Sequence, residues 1–280
     1  MLRLPEPLQP FGECLDHCWE GMADYVALKT KVASGRAELI EVGESYAAAG
    51  RAGALHSIAP FFGNGADVVM AGMTKDELVK VYQQYLVPEE KVGRRIYDAI
   101  MGAAKEKCPF CGGIGTPRNL DHFLPKAFFP QFAVLPLNLV PACRDCNMDG
   151  KRDDVVALAQ EQPIQPYLDD PKFFEEQWVF ASYEAPSGGS QGECLYFASP
   201  PEHWPPVDRQ RAINHFQTFA LARRYSVRAA EHLGTLLKQL ERLKQRGLSD
   251  GDVRHILLQP GVDGAPFANH WKRGMYQAFM

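Results

Sequence analysis

Apolar residues recur at helical spacing over most of the first hundred positions. Thr74-Lys-Asp-Glu77 has the form of a capping box, and Leu78, Val81, Tyr82, Tyr85 and Leu86 follow it at helical intervals. Pro88 suits the first turn of a further helix, with Val92, Ile96, Tyr97 and Ile100 on one face. Residues 12–50 predict two helices with a break near Ser34-Gly35, and Gly63 and Gly65 with their polar neighbours predict a loop. Later the period changes. Trp178–Tyr183, a Pro-Ser-Gly-Gly-Ser turn and Glu193–Phe197 predict a β-hairpin. Two helices close the pattern, Val207 to about Arg224 and Ser226–Arg246, the second stopping before Gly247. In it Val227, Ala230, Leu233, Leu237, Leu240 and Leu243 form a stripe that predicts a face packed on the core or on a partner.

One stretch resists both periods. Phe123–Ala142 is apolar enough to suggest a membrane span, yet it holds Pro125, Pro130, Pro136 and Pro141. Prolines so placed would leave several helix hydrogen bonds unmade, so the stretch predicts a folded irregular segment and no transmembrane helix. The N-terminus, Met-Leu-Arg-Leu-Pro-Glu-Pro, lacks the apolar run of a signal peptide.

That irregular segment lies inside a cysteine frame. Cys108-Pro-Phe-Cys111 and Cys143-Arg-Asp-Cys146 are two C-x2-C pairs with 31 residues between them, spaced as ligands of one tetrahedral zinc. Four thiolates complete that tetrahedron and leave no position for water, so the zinc is expected to be structural. With seven cysteines, an odd number, the chain reads as a cytoplasmic protein in a reducing compartment and not as a disulfide scaffold. Its net charge of −4 gives no global nucleic-acid signature. Any polyanion contact must be local, and His203–Arg246 carries nine Arg/Lys against three Asp/Glu. Such a run predicts a solvated helix face, with a phosphate-binding flank as its competitor.

The frame encloses Leu120-Asp121-His122-Phe-Leu-Pro and Asn138-Leu-Val-Pro, and Asn147 follows its last cysteine. Asp121 and Asn147 offer oxygen ligands suited to magnesium or manganese, and His122 can take a proton from water near neutral pH. In a strand these two neighbours would face opposite sides, so a bend near Pro125 is needed for both to serve one site.

These residues resemble the HNH motif of the ββα-metal (His-Me finger) nucleases, in the subgroup with two flanking C-x2-C pairs. The resemblance implies that His122 is the general base and that Asp121 and Asn147 hold the catalytic Mg2+ or Mn2+. It implies that Asn138 orients the loop and the histidine. Asparagine in place of the commoner histidine at the last position keeps an oxygen ligand and argues against zinc or nickel there. Lys151, four residues beyond Asn147, and Arg152 beside it are the expected phosphate contacts.

The expected architecture is therefore mainly α with a small α+β insert. It comprises a helical region at 1–104, a zinc-stapled ββα unit at 105–155, and a hairpin with further helices at 156–280. The expected function is metal-dependent endonuclease, most readily on DNA, with cleavage of RNA or a non-catalytic zinc-binding docking module as alternatives. Gln165-Pro-Tyr-Leu-Asp169 followed by Trp178 also resembles HNH proteins of phage defence that act beside an ATPase subunit, as in Septu-type systems. That layout implies a protein partner of this kind, in competition with a self-sufficient homodimer. Elsewhere Cys14 and Cys18 are expected to be buried reduced thiols rather than metal ligands with His17, and Cys194 to lie in the core.

Overall fold

A computed structural model describes residues 1–23, 25–151, 155–186 and 192–280, with Lys151 by its backbone only. The chain is mainly helical, with three small antiparallel sheets of two strands each among the described residues. Helices α1 (Phe11–Glu20) and α2 (Val26–Arg51) come first. A short ribbon follows, β1 (Val68–Met70) against β2 (Met73–Thr74), then α3 (Lys75–Val81), which widens into a π turn at Tyr82–Leu86. Helix α4 (Arg94–Ala103) leads into β3 (Asn119–His122) and β4 (Leu139–Ala142). The wide helical turn Asp145–Lys151 comes next. The C-terminal part consists of α5 (Lys172–Glu175), the hairpin β5 (Val179–Glu184) and β6 (Glu193–Ala198), α6 (Pro206–Thr218) and α7 (Leu221–Gln245). The short helices α8 (Asp250–Val253), α9 (Gln259–Asp263) and α10 (Trp271–Gln277) complete it.

Several sequence expectations hold in detail. Thr74 and Glu77 form both halves of the capping box at the start of α3, and the five apolar residues after them are buried. Phe123–Ala142 forms no continuous helix, as its prolines require: it is irregular up to strand β4, with 3-10 turns at Pro130–Phe132 and Pro136–Asn138. None of the described helices is long and apolar enough to cross a membrane.

Other expectations are corrected. No break occurs at Ser34-Gly35; α2 runs through it, and α1 ends at Glu20, before α2 starts at Val26. Gly35 is small because the β1–β2 turn packs there: a Cβ at that position would lie 2.4 Å from the Ala71 Cβ. Pro88 precedes α4 by several residues rather than opening it. The last two long helices divide at Phe219-Ala220, where Ala220 adopts a left-handed φ of 48°, and not near Tyr225. In α7 the buried face is Leu221, Tyr225, Ala229, Leu233 and Leu236. Of the expected stripe, Leu233 is buried and Leu237 and Leu240 pack against the core, whereas Ala230 is exposed and Val227 is 61% exposed.

Nearly all the buried apolar residues form one connected cluster running from Met1 to Met275, and the β3–β4 ribbon lies within it. All four β4 residues are buried. The ribbon is thus embedded between the N-terminal helices and the C-terminal half.

Candidate functional site

The cysteine frame closes as its spacing predicts. Cys108, Cys111, Cys143 and Cys146 are all buried, and their sulfurs lie within 4.8 Å of one another. Cys111 and Cys143 sulfurs are 4.0 Å apart. That is close to the roughly 3.8 Å edge of a tetrahedron with metal–sulfur bonds of about 2.3 Å, and far from a disulfide. Left-handed glycines, Gly112 at φ 61° and Gly113 at 81°, fold the first pair into a tight knuckle. Gly115 N–H donates to the Cys111 sulfur at 3.3 Å. The four thiols can therefore hold a zinc ion.

Helix α7 brings a cation against the sulfurs. Arg224 donates from Nη1 to the Cys146 sulfur at 3.2 Å and from Nη2 to that of Cys143 at 3.5 Å. Burial disfavours the guanidinium charge, but the sulfurs of Cys146 and Cys111 outweigh it and hold Arg224 above its ordinary range. A cation here favours thiolates, the form a metal binds. The neighbouring Tyr225 hydroxyl donates to the Cys111 carbonyl at 3.3 Å. Two residues of the basic run thus have structural tasks, since Arg211 is also buried, paired with Asp169 at 2.6 Å. His215 ties the knuckle to the following segment. Its Nδ1 accepts the Ile164 N–H at 3.3 Å, so its Nε2 carries the proton donated to the Phe110 carbonyl at 2.8 Å. Burial lowers its pKa to about 3.

The other end of the ribbon carries Asp121 and His122. The two strands pair antiparallel, with Asp121 opposite Val140 and His122 opposite Leu139. Directly after His122 the chain bends, and Phe123 N–H donates to the Asn138 carbonyl at 2.7 Å. Asp121 and His122 are both buried, at 8% and 4% exposure. His122 Nε2 lies 2.9 Å from the Ala133 carbonyl. A carbonyl can only accept, so Nε2 is the protonated nitrogen and, in the neutral ring, Nδ1 carries the basic lone pair.

The loop that offers this carbonyl is held by Asn138, which is wholly buried. Its Oδ1 accepts from Leu124 N–H at 2.7 Å and from the Tyr46 hydroxyl at 3.0 Å. Its Nδ2 donates to the carbonyls of Leu124 at 3.0 Å and Phe132 at 3.2 Å. Phe132 is the residue before Ala133, so the amide holds both ends of the loop around the histidine. Gln165 and Tyr167 brace it from outside, donating to the carbonyls of Leu137 and Leu139 at 2.8 Å each. The Gln165–Asp169 stretch is therefore a structural clamp.

Tyr82 stands beside both acidic and basic members. Its ring meets that of His122 edge-on at 4.4 Å, and its hydroxyl donates to the Leu120 carbonyl at 3.2 Å. Burial, then the nearby Tyr97 and Asp121, push the Tyr82 pKa above its ordinary value. Lys126 Nζ sits 5.7 Å from the same ring. Sequence reasoning read Tyr82 only as a buried helix position and passed over Lys126. Helical periodicity marks Tyr82 for burial but not for a place beside the histidine, and no local pattern marks Lys126.

Asn147 lies in the turn after β4, its N–H donating to the Cys143 carbonyl at 3.0 Å. Its side chain is half-buried. The turn is wide, of π type, and Gly150 lets it approach the junction of α6 and α7: a Cβ there would lie 2.7 Å from the Phe219 ring. Lys151 ends this turn, and Arg152 lies outside the described residues. Cys14, Cys18 and Cys194 are buried, and among the described residues the only cluster of metal-ligating side chains is that of the four frame cysteines.

No protein-family model matches the chain. No solved structure matches it either. Among curated proteins it is similar to Protein ea31 of Escherichia phage lambda, at 34% identity over 294 aligned residues that cover 99% of this chain and 96% of the relative. With identity at this level along essentially the whole of both chains, the protein belongs to the family of phage lambda Protein ea31.

Proposed function

We propose that the protein is a metal-dependent endonuclease of the HNH type that hydrolyses phosphodiester bonds, with DNA as substrate. The observation that carries this reading is the hydrogen bond from His122 Nε2 to the Ala133 carbonyl. It selects the tautomer that presents Nδ1 as a base and partly offsets the positive charge the ring gains on protonation. His122 Nδ1 would take the proton of a water attacking phosphorus. Asn138 keeps the carbonyl in place, and Tyr82 limits rotation of the ring. Asp121 and Asn147 are oxygen donors suited to a hard cation. They would hold Mg2+ or Mn2+, which would neutralise charge developing on the phosphate and the leaving 3′-oxygen. Lys126, near Tyr82, and Lys151 and Arg152, past Asn147, would meet substrate phosphates.

The four cysteines would hold zinc as a fixed strut, since a thiolate tetrahedron has no open position. We further read the protein as an effector that works with another subunit, such as an ATPase. Two features support this: the net charge of −4, and the use of Arg211 and Arg224 within the fold rather than on a DNA-facing flank.

The test is incubation of the purified chain with plasmid DNA and with total RNA, in magnesium and in EDTA. Magnesium-dependent nicking of the plasmid is expected. Cleavage of RNA alone would move the assignment to an RNA nuclease. If neither is cut, alone or with the products of neighbouring genes, the chain is a docking module and not an enzyme.

A further inference from the structure

Phe62 is 75% exposed, although the loop that carries it is tied down. Its ring meets that of Phe128 edge-on at 5.7 Å, and the N–H of the adjacent Phe61 donates to the Phe128 carbonyl at 2.7 Å. Phe128 belongs to the segment that bends away after His122, and its own N–H donates to the Pro125 carbonyl at 2.9 Å. The open ring is therefore fixed to the chain that leaves the histidine.

Two cations lie on the same path. Lys75 Nζ is 5.9 Å from the Phe128 ring and donates to the Gly63 carbonyl at 3.2 Å, which uses one of its three hydrogens. Lys126 Nζ is 5.7 Å from the Tyr82 ring, which in turn meets the His122 ring at 4.4 Å. Neither ammonium has an ion-pair partner among the described residues. The carboxylates on this side are taken up by the loop itself. Asp67 accepts the Asn64 N–H at 2.7 Å, and Asp76 lies so close to Gly65 that a Cβ there would be 2.3 Å from it. From His122 outward, rings and cations thus alternate: Tyr82, Lys126, Phe128 with Lys75, and Phe62. A single exposed ring is ordinary on a protein surface. A ring braced from behind, with cations that no carboxylate neutralises, has the chemistry that holds a single strand: bases stack on the ring and phosphates meet the ammonium groups.

We propose that Phe62 is a stacking platform for an unpaired nucleobase of the substrate strand near the cut, with Lys126 and Lys75 meeting the phosphates between that base and His122. The inference rests on the reading of the chain as a nuclease and adds a substrate class to it. The strand is single or locally opened, because a base inside a duplex has both faces covered by its neighbours. Stacking needs only a π face, so the platform selects no sequence.

The experiment uses the full chain as purified, with no magnesium, manganese or chelator added, so that binding is read without cleavage and the cysteine frame is left intact. Three fluorescein-labelled probes are compared: a short single-stranded DNA of mixed sequence, the same strand made of abasic residues, and the duplex. Wild type should bind the base-bearing single strand about tenfold more tightly than the abasic one, and the duplex more weakly than the single strand. Phe62→Ala should erase the difference between base-bearing and abasic strands at unchanged melting temperature, since the side chain is exposed. Phe62→Trp should keep or enlarge it. Lys75→Gln and Lys126→Gln should weaken both strands alike and flatten the salt dependence. A preference that survives Phe62→Ala overturns the platform, as does equal affinity of wild type for base-bearing and abasic strands. In either case magnesium-dependent cleavage by wild type would leave the nuclease reading standing. A base-dependent affinity that Phe62→Ala removes, in a chain that cuts nothing, would uphold the platform and remove the nuclease.

Discussion

At one end of the β3–β4 ribbon four thiols crowd within 4.8 Å of one another. At the other end, a single buried amide, Asn138, joins four polar groups of the loop around His122 and of α2. Both ends are rigid, but for different reasons. The thiol end can hold an ion, and the binding energy of that ion would be folding energy, on which chelation and acid would act directly. The amide end is neutral and complete without one. A scaffold built to hold a metal thus adjoins a histidine site whose polar contacts are made without one. The two should fail separately.

Cys143→Ser would produce the largest effect. On the order of 10 kcal/mol of zinc binding contributes to folding in sites of this kind, so the ribbon should unfold and not merely react more slowly. Wild type should carry about one zinc per chain by elemental analysis. Protein purified without chelators and found free of zinc would contradict the frame.

Asn138→Ala should act only on the other end. Several buried backbone groups would lose their partner at about 1–3 kcal/mol each, so a loss of at least about 3 kcal/mol is expected in urea unfolding. Zinc content should stay at the wild-type value. If zinc were lost with the amide, the two ends would be one cooperative unit and the comparison would fail.

A smaller effect is expected in acid. His215 is buried and neutral, with its pKa lowered from 6.5 to about 3. The unfolded chain therefore binds a proton that the folded chain refuses. The stability this group contributes is complete above pH 6.5 and is lost as the pH falls towards about 3. Between pH 6.5 and about 5 that amounts to roughly 2 kcal/mol. Urea melts across this window should show a steeper fall for wild type than for His215→Gln. Parallel curves would mean that His215 is not held neutral.

The sequence made the cysteine end legible and the amide end only partly so. Ligand spacing is a local property, and two C-x2-C pairs carry it without help from the fold. His122 was legible from its side-chain chemistry and Asn138 took its role from the resemblance, while the reason Asn138 matters lies in contacts across 6 to 92 residues of chain. Ala133 offers a backbone carbonyl, for which no residue type is a signal. Tyr82 and Arg224 were read as a helix interior position and part of a charged run. Their tasks depend on which face of the helix meets the ribbon. In α7 the expected stripe holds at Leu233, Leu237 and Leu240 and fails at Val227 and Ala230, which continue an apolar spacing that packing does not use. The glycines misled for a related reason: Gly35 permits a close approach within a continuous helix, whereas composition suggested a break.

The central claim is that His122 acts as a base within a scaffold that does not need it. His122→Ala, measured for plasmid cleavage in magnesium beside wild type, tests it most directly. The account predicts normal folding, full zinc content and a loss of cleavage on the order of 10²–10⁴. Cleavage at the wild-type rate by a folded, zinc-loaded His122→Ala protein would contradict it.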